Sequence, residues 1–274
     1  MTPSPPPAAS ADALAPGAGV LRVTPIPALR DNYIWLVESG DRALVVDPGD
    51  AEPVQRVLAR RGLRLEAILV THHHGDHVGG VAALAAAHGA TVYGPVNSPY
   101  AGIAERVAGG ARLRVANLDF DVLAVPGHTL DHIAYWCSAQ ALLFCGDTLF
   151  AGGCGRLFEG SAAQMYASLS ELASLPDATR VYCAHEYTQS NLRFAMAVEP
   201  DNLALQQRTR DCAALRAQGA ATVPSTLGLE RATNPFLRCI EPAVRAAAQK
   251  QGGAAVAEPA AVFALLRAWK DGFA

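Results

Sequence analysis

No apolar run in the chain approaches the ~20 residues that a membrane-crossing helix needs. No pair of cysteines has the C-x-x-C spacing of a redox or zinc motif, although six cysteines are present. A chain of 274 residues can bury a core without a disulfide frame, so these cysteines read as buried free thiols in a reducing compartment. An excess of basic charge is also missing. A formal charge of −3 leaves no electrostatic footprint for nucleic acid. The first nineteen residues hold no Lys or Arg and no continuous apolar core, both of which a secretory signal requires. Rich in Pro, Ala and Gly, residues 1–19 are expected to form a disordered extension, and the cytoplasm is the expected location. Internal repeats are absent.

What the chain does have is Thr71-His72-His73-His74-Gly75-Asp76-His77. An apolar, strand-like run (Ala67-Ile68-Leu69-Val70) precedes it, and a small-residue, helix-forming stretch from Val78 to His88 follows it. In an extended segment, side chains two apart share a face. His72 and His74 can therefore share one metal while His73 faces away. Asp76 and His77, at the turn into the helix, can aim at a second position beside it. Imidazole and carboxylate are ligands that borderline ions such as zinc prefer. A purification tag would lie at a terminus and would lack the Asp-His ending.

Around this turn the pattern alternates between short strands and helices. Strands are expected at Leu21–Ile26, Tyr33–Glu38, Ala43–Asp47, Ala67–Thr71, Thr91–Tyr93, Asp119–Val125, His132–Cys137, Ala141–Cys145 and Arg180–Cys183. Helices are expected at Ala51–Arg61 and Ala162–Ser174. Past Tyr187 strand signals nearly vanish, and helices are expected at Ser190–Val198, Asn202–Gln218, Glu241–Lys250 and Pro259–Trp269. The expected organisation is an α/β domain of two packed sheets flanked by helices over 20–188, then a helical domain over 189–274.

Three further polar groups each follow a strand: His128 in Pro126-Gly127-His128-Thr129, Asp147 in Gly146-Asp147-Thr148, and His185 in Ala184-His185-Glu186. Strand ends on one sheet edge can converge on a ligand. With the histidine turn they make five histidines and two aspartates. That set suits two adjacent metals sharing one carboxylate and a solvent-derived bridge, with ions ~3.5–4 Å apart. Asp147 is the expected bridging carboxylate.

These motifs resemble the metallo-β-lactamase superfamily. Within it, Asp31-Asn32-Tyr33-Ile34-Trp35, Val46-Asp47-Pro48-Gly49, Gly153-Cys154-Gly155-Arg156, Ala184-His185-Glu186-Tyr187 and Asn234-Pro235-Phe236 are similar to the glyoxalase II, or hydroxyacylglutathione hydrolase, branch. The resemblance spans about Val23 to Lys270. It implies an αββα sandwich with a smaller C-terminal helical domain that binds substrate. It assigns His72, His74 and His128 to one metal and Asp76, His77 and His185 to the other, with Asp147 between them. It implies two Zn²⁺ per subunit, with Fe or Mn also tolerated by such ligands. Catalysis would rest on Asp76 and Asp147 with a metal-bridging hydroxide.

The implied reaction is hydrolysis of S-D-lactoylglutathione, an S-2-hydroxyacylglutathione, to D-lactate and glutathione in methylglyoxal detoxification. The resemblance points to Arg156, Phe158, Tyr187, Arg267 and Lys270 as contacts to a glutathione thioester, with no nucleic-acid or membrane partner and a monomeric chain. Some members carry Tyr where Phe158 stands, so one hydroxyl contact is expected to be missing. No role is assigned to Asp131, and His132 is read as a hydrogen-bond partner behind the ligands.

The nearest competing activity is a glutathione persulfide dioxygenase on the same fold. It needs only one iron on two histidines and a carboxylate, which would leave the second ligand set and the helical tail unused. A β-lactamase or lactonase would leave Arg156 and the tail without purpose. A catalytically dead metal-binding scaffold is at odds with seven intact ligands.

Overall fold

The structure is a computed structural model that describes residues 21–252 and 258–273. The expected extension over 1–19 lies outside them. The chain begins with β1 (Arg22–Ala28), β2 (Asn32–Ser39), β3 (Arg42–Val46), α1 (Ala51–Arg61) and β4 (Arg64–Leu69). After the histidine turn come α2 (Gly75–Val78), α3 (Val81–His88), β5 (Thr91–Pro95) and β6 (Glu105–Val107). These six strands form one sheet in sequence order. A second sheet takes β7 (Arg112–Val115), β8 (Leu118–Ala124), β9 (Ile133–Cys137) and β10 (Leu142–Gly146). A two-stranded hairpin, β11 (Leu149–Phe150) and β12 (Gly153–Cys154), precedes α4 (Ala162–Ala173) and β13 (Arg180–Cys183). The rest is α5 (Thr188–Val198), α6 (Leu203–Ala217), β14 (Ser225–Thr226), α7 (Leu227–Thr233), α8 (Pro242–Gly252) and α9 (Pro259–Asp271).

Alternation along the strands makes the layers. Trp35, Leu44, Val46 and Leu69 point inward to a core shared with Phe120, Tyr135 and Phe144 of the second sheet. Their neighbours Ile34, Leu36, Val45 and Ile68 point outward and are covered by Val54 and Leu58 of α1 and Val81 and Leu84 of α3. This is the period-two pattern of a sheet buried on both faces. On the far side of the second sheet, α4 and α9 add Met165, Leu169, Phe263 and Leu266 to the larger core. The αββα sandwich expected from the sequence is therefore the observed fold.

Three local expectations are corrected. The helix expected over Val78–His88 starts only at Val81, as α3, and a separate turn of helix, α2, already holds Gly75–Val78. Gly79 and Gly80 separate them, and a Cβ on Gly80 would lie 2.5 Å from the Ala51 nitrogen, so the chain turns against the start of α1. Strands β6 and β7 were not expected, because Glu105–Val107 and Arg112–Val115 are short and carry exposed charges. The helical tail is not purely helical: Ser225–Thr226 returns to pair with β13 at the edge of the second sheet.

Candidate metal centre

The histidine turn follows β4, and Asp47, just past β3, sets its shape. Asp47 Oδ1 accepts from the Thr71 N–H and Oδ2 from the Thr71 hydroxyl, both at 2.8 Å. Asp47 Oδ2 also lies 3.0 Å from His77 Nδ1. One buried carboxylate thus ties the start of the turn to its end. Asp47 adopts φ 51°, a left-handed conformation sparsely used by residues other than glycine.

Two trios of candidate ligand atoms face each other across this turn. His72 Nε2 and His128 Nε2 each lie 3.1 Å from His74 Nδ1. Asp76 Oδ2 lies 3.6 Å from His77 Nε2 and 3.4 Å from His185 Nε2. Within each trio the ligating atoms are all within 4.8 Å of one another. Asp147 sits between them. Its Oδ2 is 3.4 Å from His128 Nε2, and its Oδ1 is 3.4 Å from both His77 Nε2 and His185 Nε2.

The strand-end positions predicted from the sequence are brought together: His128 follows β8, Asp147 follows β10, and His185 follows β13. Buried His77 Nε2 and Asp147 Oδ1 have no hydrogen-bond partner. Imidazole nitrogens and carboxylate oxygens converging in a buried site are a donor set that suits cations.

The groups behind the ligands fix their orientation. His185 Nδ1 meets Asp31 Oδ1 at 2.8 Å, His128 Nδ1 meets the Arg156 carbonyl at 2.8 Å, and the Asn32 amide donates to Asp76 Oδ2 at 3.0 Å. His132 accepts from the Asp147 N–H at 3.1 Å and stacks on His72 with ring centroids 4.5 Å apart. Such partners fix tautomer and ring orientation in metal sites. Sequence reasoning had marked Asp31, Asn32 and Asp47 only as parts of motifs. Asp31 precedes β2, Asn32 opens it and Asp47 follows β3, and that placing was the available signal. His73 does face away, toward Asp131 Oδ1 at 2.9 Å, and the Thr129 hydroxyl donates to that same oxygen at 2.7 Å. Asp131, left without a role, therefore shapes the loop that carries His128.

The electrostatics divide the trios. Burial holds the pKa of His72 well below its usual value, with His77 and His132 adding repulsion. Burial pushes His132 down to about 3, so it is a neutral acceptor. Burial also opposes charge on His185, but Asp147 overrides it and raises that pKa to about 10. The same opposition raises His77 well above its usual value, with Asp147 and Asp47 prevailing over burial. Asp147 itself stays well below the carboxylate range, because His77 and His185 outweigh its burial. The carboxylate side of the site calls for positive charge.

Beside the trios opens a cavity of about 600 Å³. Arg156, Phe158, Tyr187, Arg267 and Lys270 all border it. Phe158 is 62% exposed and lies edge-on to His74 and His128. Tyr187 stacks on His185 at 4.7 Å. Arg156 Nε is 3.4 Å from Asp271 Oδ1, which also accepts from Arg267 at 3.1 Å. Arg267 is not on a solvated helix face: it is buried and donates to the Cys154 carbonyl at 3.0 Å. Lys270 Nζ lies 3.4 Å from the Ser190 carbonyl and hydroxyl oxygens. All six cysteines are buried and free.

A two-sheet sandwich with helices outside and two His/Asp trios at its strand ends defines a protein of the metallo-β-lactamase fold. The sequence profile described as "Metallo-beta-lactamase superfamily" matches residues 28–185, and that described as "Hydroxyacylglutathione hydrolase C-terminus" matches 186–273. A relative in Albidiferax ferrireducens, named hydroxyacylglutathione hydrolase, is 56% identical over 92% of this chain and all of its own length. The chain belongs to the hydroxyacylglutathione hydrolase family.

Among solved structures, ETHE1 from Myxococcus xanthus is 37% identical with a TM-score of 0.55, covering 61% of this chain and 76% of its own. TTHA1623, solved in a di-iron-bound form, is 30% identical with a TM-score of 0.59, covering 78% of this chain and all of its own. The fold implies a binuclear metal site, for which the trios and Asp147 are the candidate ligands. No helix among the described residues is long and apolar enough to cross a membrane.

Proposed function

We propose that this chain hydrolyses S-D-lactoylglutathione to D-lactate and glutathione, the thioester-cleaving step of methylglyoxal detoxification, with two zinc ions held between its strand ends. His72, His74 and His128 would hold one ion and Asp76, His77 and His185 the other, with Asp147 placed to serve both. Iron or manganese would suit the same ligands. When bound, such a pair makes hydroxide available near neutral pH and polarises a carbonyl.

The chain's own groups do the rest. Asp76, anchored at Oδ2 by Asn32, borders the cavity and can accept a hydrogen bond there. Lys270 and Arg156 supply charge for the carboxylates of the glutathione moiety. Arg267 fixes Asp271, and through it Arg156. Phe158 and Tyr187 wall the thioester region but offer no hydroxyl at Phe158. A thiolate with pKa near ~8.5 leaves without a strong general acid, and the cavity needs none.

The observation that carries this reading is Asp147 presenting one oxygen to each trio beside a cationic cavity. One copy supplies every residue of the site, so a monomer suffices. Six unpaired thiols suit a reducing compartment such as the cytoplasm. The test is steady-state turnover of S-D-lactoylglutathione beside lactoyl-coenzyme A, with metal analysis of the same preparation. Two metals per chain and preference for the glutathione ester are expected. Oxygen consumption with glutathione persulfide and no thioester turnover would overturn the proposal.

A further inference from the structure

Behind the cavity wall, away from the metal ligands, lies a fully buried carboxylate. Glu230 in α7 is 0% exposed. Its Oε1 accepts from Arg208, itself buried, and from the Ser225 hydroxyl. Its Oε2 accepts from the Gly152 N–H at 2.8 Å and from the Asn234 amide at 3.1 Å. Four donors from four chain segments therefore converge on one side chain. Burying such an ion pair costs several kcal/mol of desolvation per ion, and apolar residues often fill such a space at least as stably. Stability alone is a poor account of it.

Gly152 sits at the tip of the β11–β12 hairpin, which begins two residues after Asp147. Gly152 has φ +69°, so a side chain there would be strained, and a Cβ would lie 2.9 Å from Leu192. The tail grips this hairpin throughout. Asn234 donates to the Phe150 carbonyl at 3.3 Å and the Gly153 carbonyl at 2.9 Å. Asn191 donates to the Ala151 carbonyl at 3.2 Å, and Arg267 to that of Cys154. On the other face of the hairpin, the Phe150 ring packs edge-on against His185 at 5.9 Å and Tyr187 at 5.3 Å.

We infer that Glu230, neutralised by Arg208, is a positioning residue: through Gly152 and the hairpin it sets Phe150, the His185–Tyr187 stack and the segment leaving Asp147. The helical tail thus acts on the reacting centre as well as on the substrate. The inference rests on the hydrolase reading above. Turnover by the unaltered chain tests that reading, and backbone exchange in the hairpin tests this one.

The experiment compares Glu230→Ala with Glu230→Gln in the metal-loaded, full-length protein. It measures kcat, KM, bound metal, Tm and amide hydrogen exchange over residues 149–154. A glutamine can still accept from Gly152 but leaves Arg208 without its counter-charge. Glu230→Ala is expected to lose roughly 10- to 100-fold in kcat per metal-loaded site, with KM within threefold and faster exchange at Gly152. Glu230→Gln is expected to lower Tm yet keep kcat within about threefold and exchange slow. If the alanine variant does not fold, Asn234→Asp keeps the acceptor for the Phe236 N–H but sets a carboxylate against the Phe150 and Gly153 carbonyls and against Glu230 Oε2, freeing the hairpin from the same side, and should show the same kcat loss. Unchanged kcat in Glu230→Ala and Asn234→Asp with only a lower Tm would overturn the inference. So would an equal kcat loss in Glu230→Gln and Glu230→Ala.

Discussion

The two walls of the cavity are built on opposite plans. On the metal side, His72 and His77 are wholly buried, and most ligands are gripped from behind by Asp31, Asn32, Asp47 or a carbonyl. On the substrate side, Phe158 and Tyr187 are exposed, and the Arg156 side chain is 60% exposed. A reacting centre has to be held to a fraction of an ångström, which demands locked rotamers and supporting bonds. A binding wall can let its charges find the ligand, at the cost of ordering long side chains. The contrast teaches where each kind of damage will appear: kcat and metal content on one wall, KM on the other.

Substitutions can break that contrast or sharpen it. Asp147→Ala removes the carboxylate that faces both trios, so turnover should fall to background and the metal count below two, read by metal analysis and thioester assay on one sample. Asp31→Ala and Asp47→Ala leave every ligand in place but free the rings of His185 and His77. A loss of roughly 10- to 100-fold in activity or metal affinity is expected for each, checked by competition with a chelator. Lys270→Ala should raise KM by roughly 10-fold or more while leaving kcat within about twofold, as loss of a charge-assisted contact common to ground and transition states does. A large kcat effect there would dissolve the distinction between the walls. Phe158→Tyr adds a hydroxyl at the exposed rim and should lower KM by roughly 2- to 10-fold, a neutral hydrogen bond's worth.

Much of the metal wall could be read from the sequence, because its signals are local. The two-residue spacing of His72 and His74 and the strand-end placing of His128, Asp147 and His185 follow from strand geometry. What lay behind these residues was hidden. Asp47 reaches Thr71 from 24 positions away, and Asp31 reaches His185 from 154. Only the pairing of β3 with β4 and the isolated bridge of Asn32 to His185 bring them together. Sheet order was not written in any local pattern.

The tail was legible as helix but not as a partner of the hairpin. Glu230 lies in the stretch 219–240, where no element was expected, and its burial follows from α7, β14 and the hairpin closing around it. The break at Gly79–Gly80 did have a local signal, since adjacent glycines disfavour helix, and the close approach of α1 fixes the turn there. Arg267 is the clearest case of a charge whose burial only tertiary structure reveals.

The most direct test of the central claim is a metal titration of the metal-stripped chain, followed by counting bound ions and thioester turnover at each step. Activity should rise to its limit as two ions per chain are bound in the unaltered protein, and Asp147→Ala should neither retain two nor turn over. Full turnover with one ion, or an Asp147→Ala variant that keeps both ions and its rate, would contradict a centre bridged by Asp147.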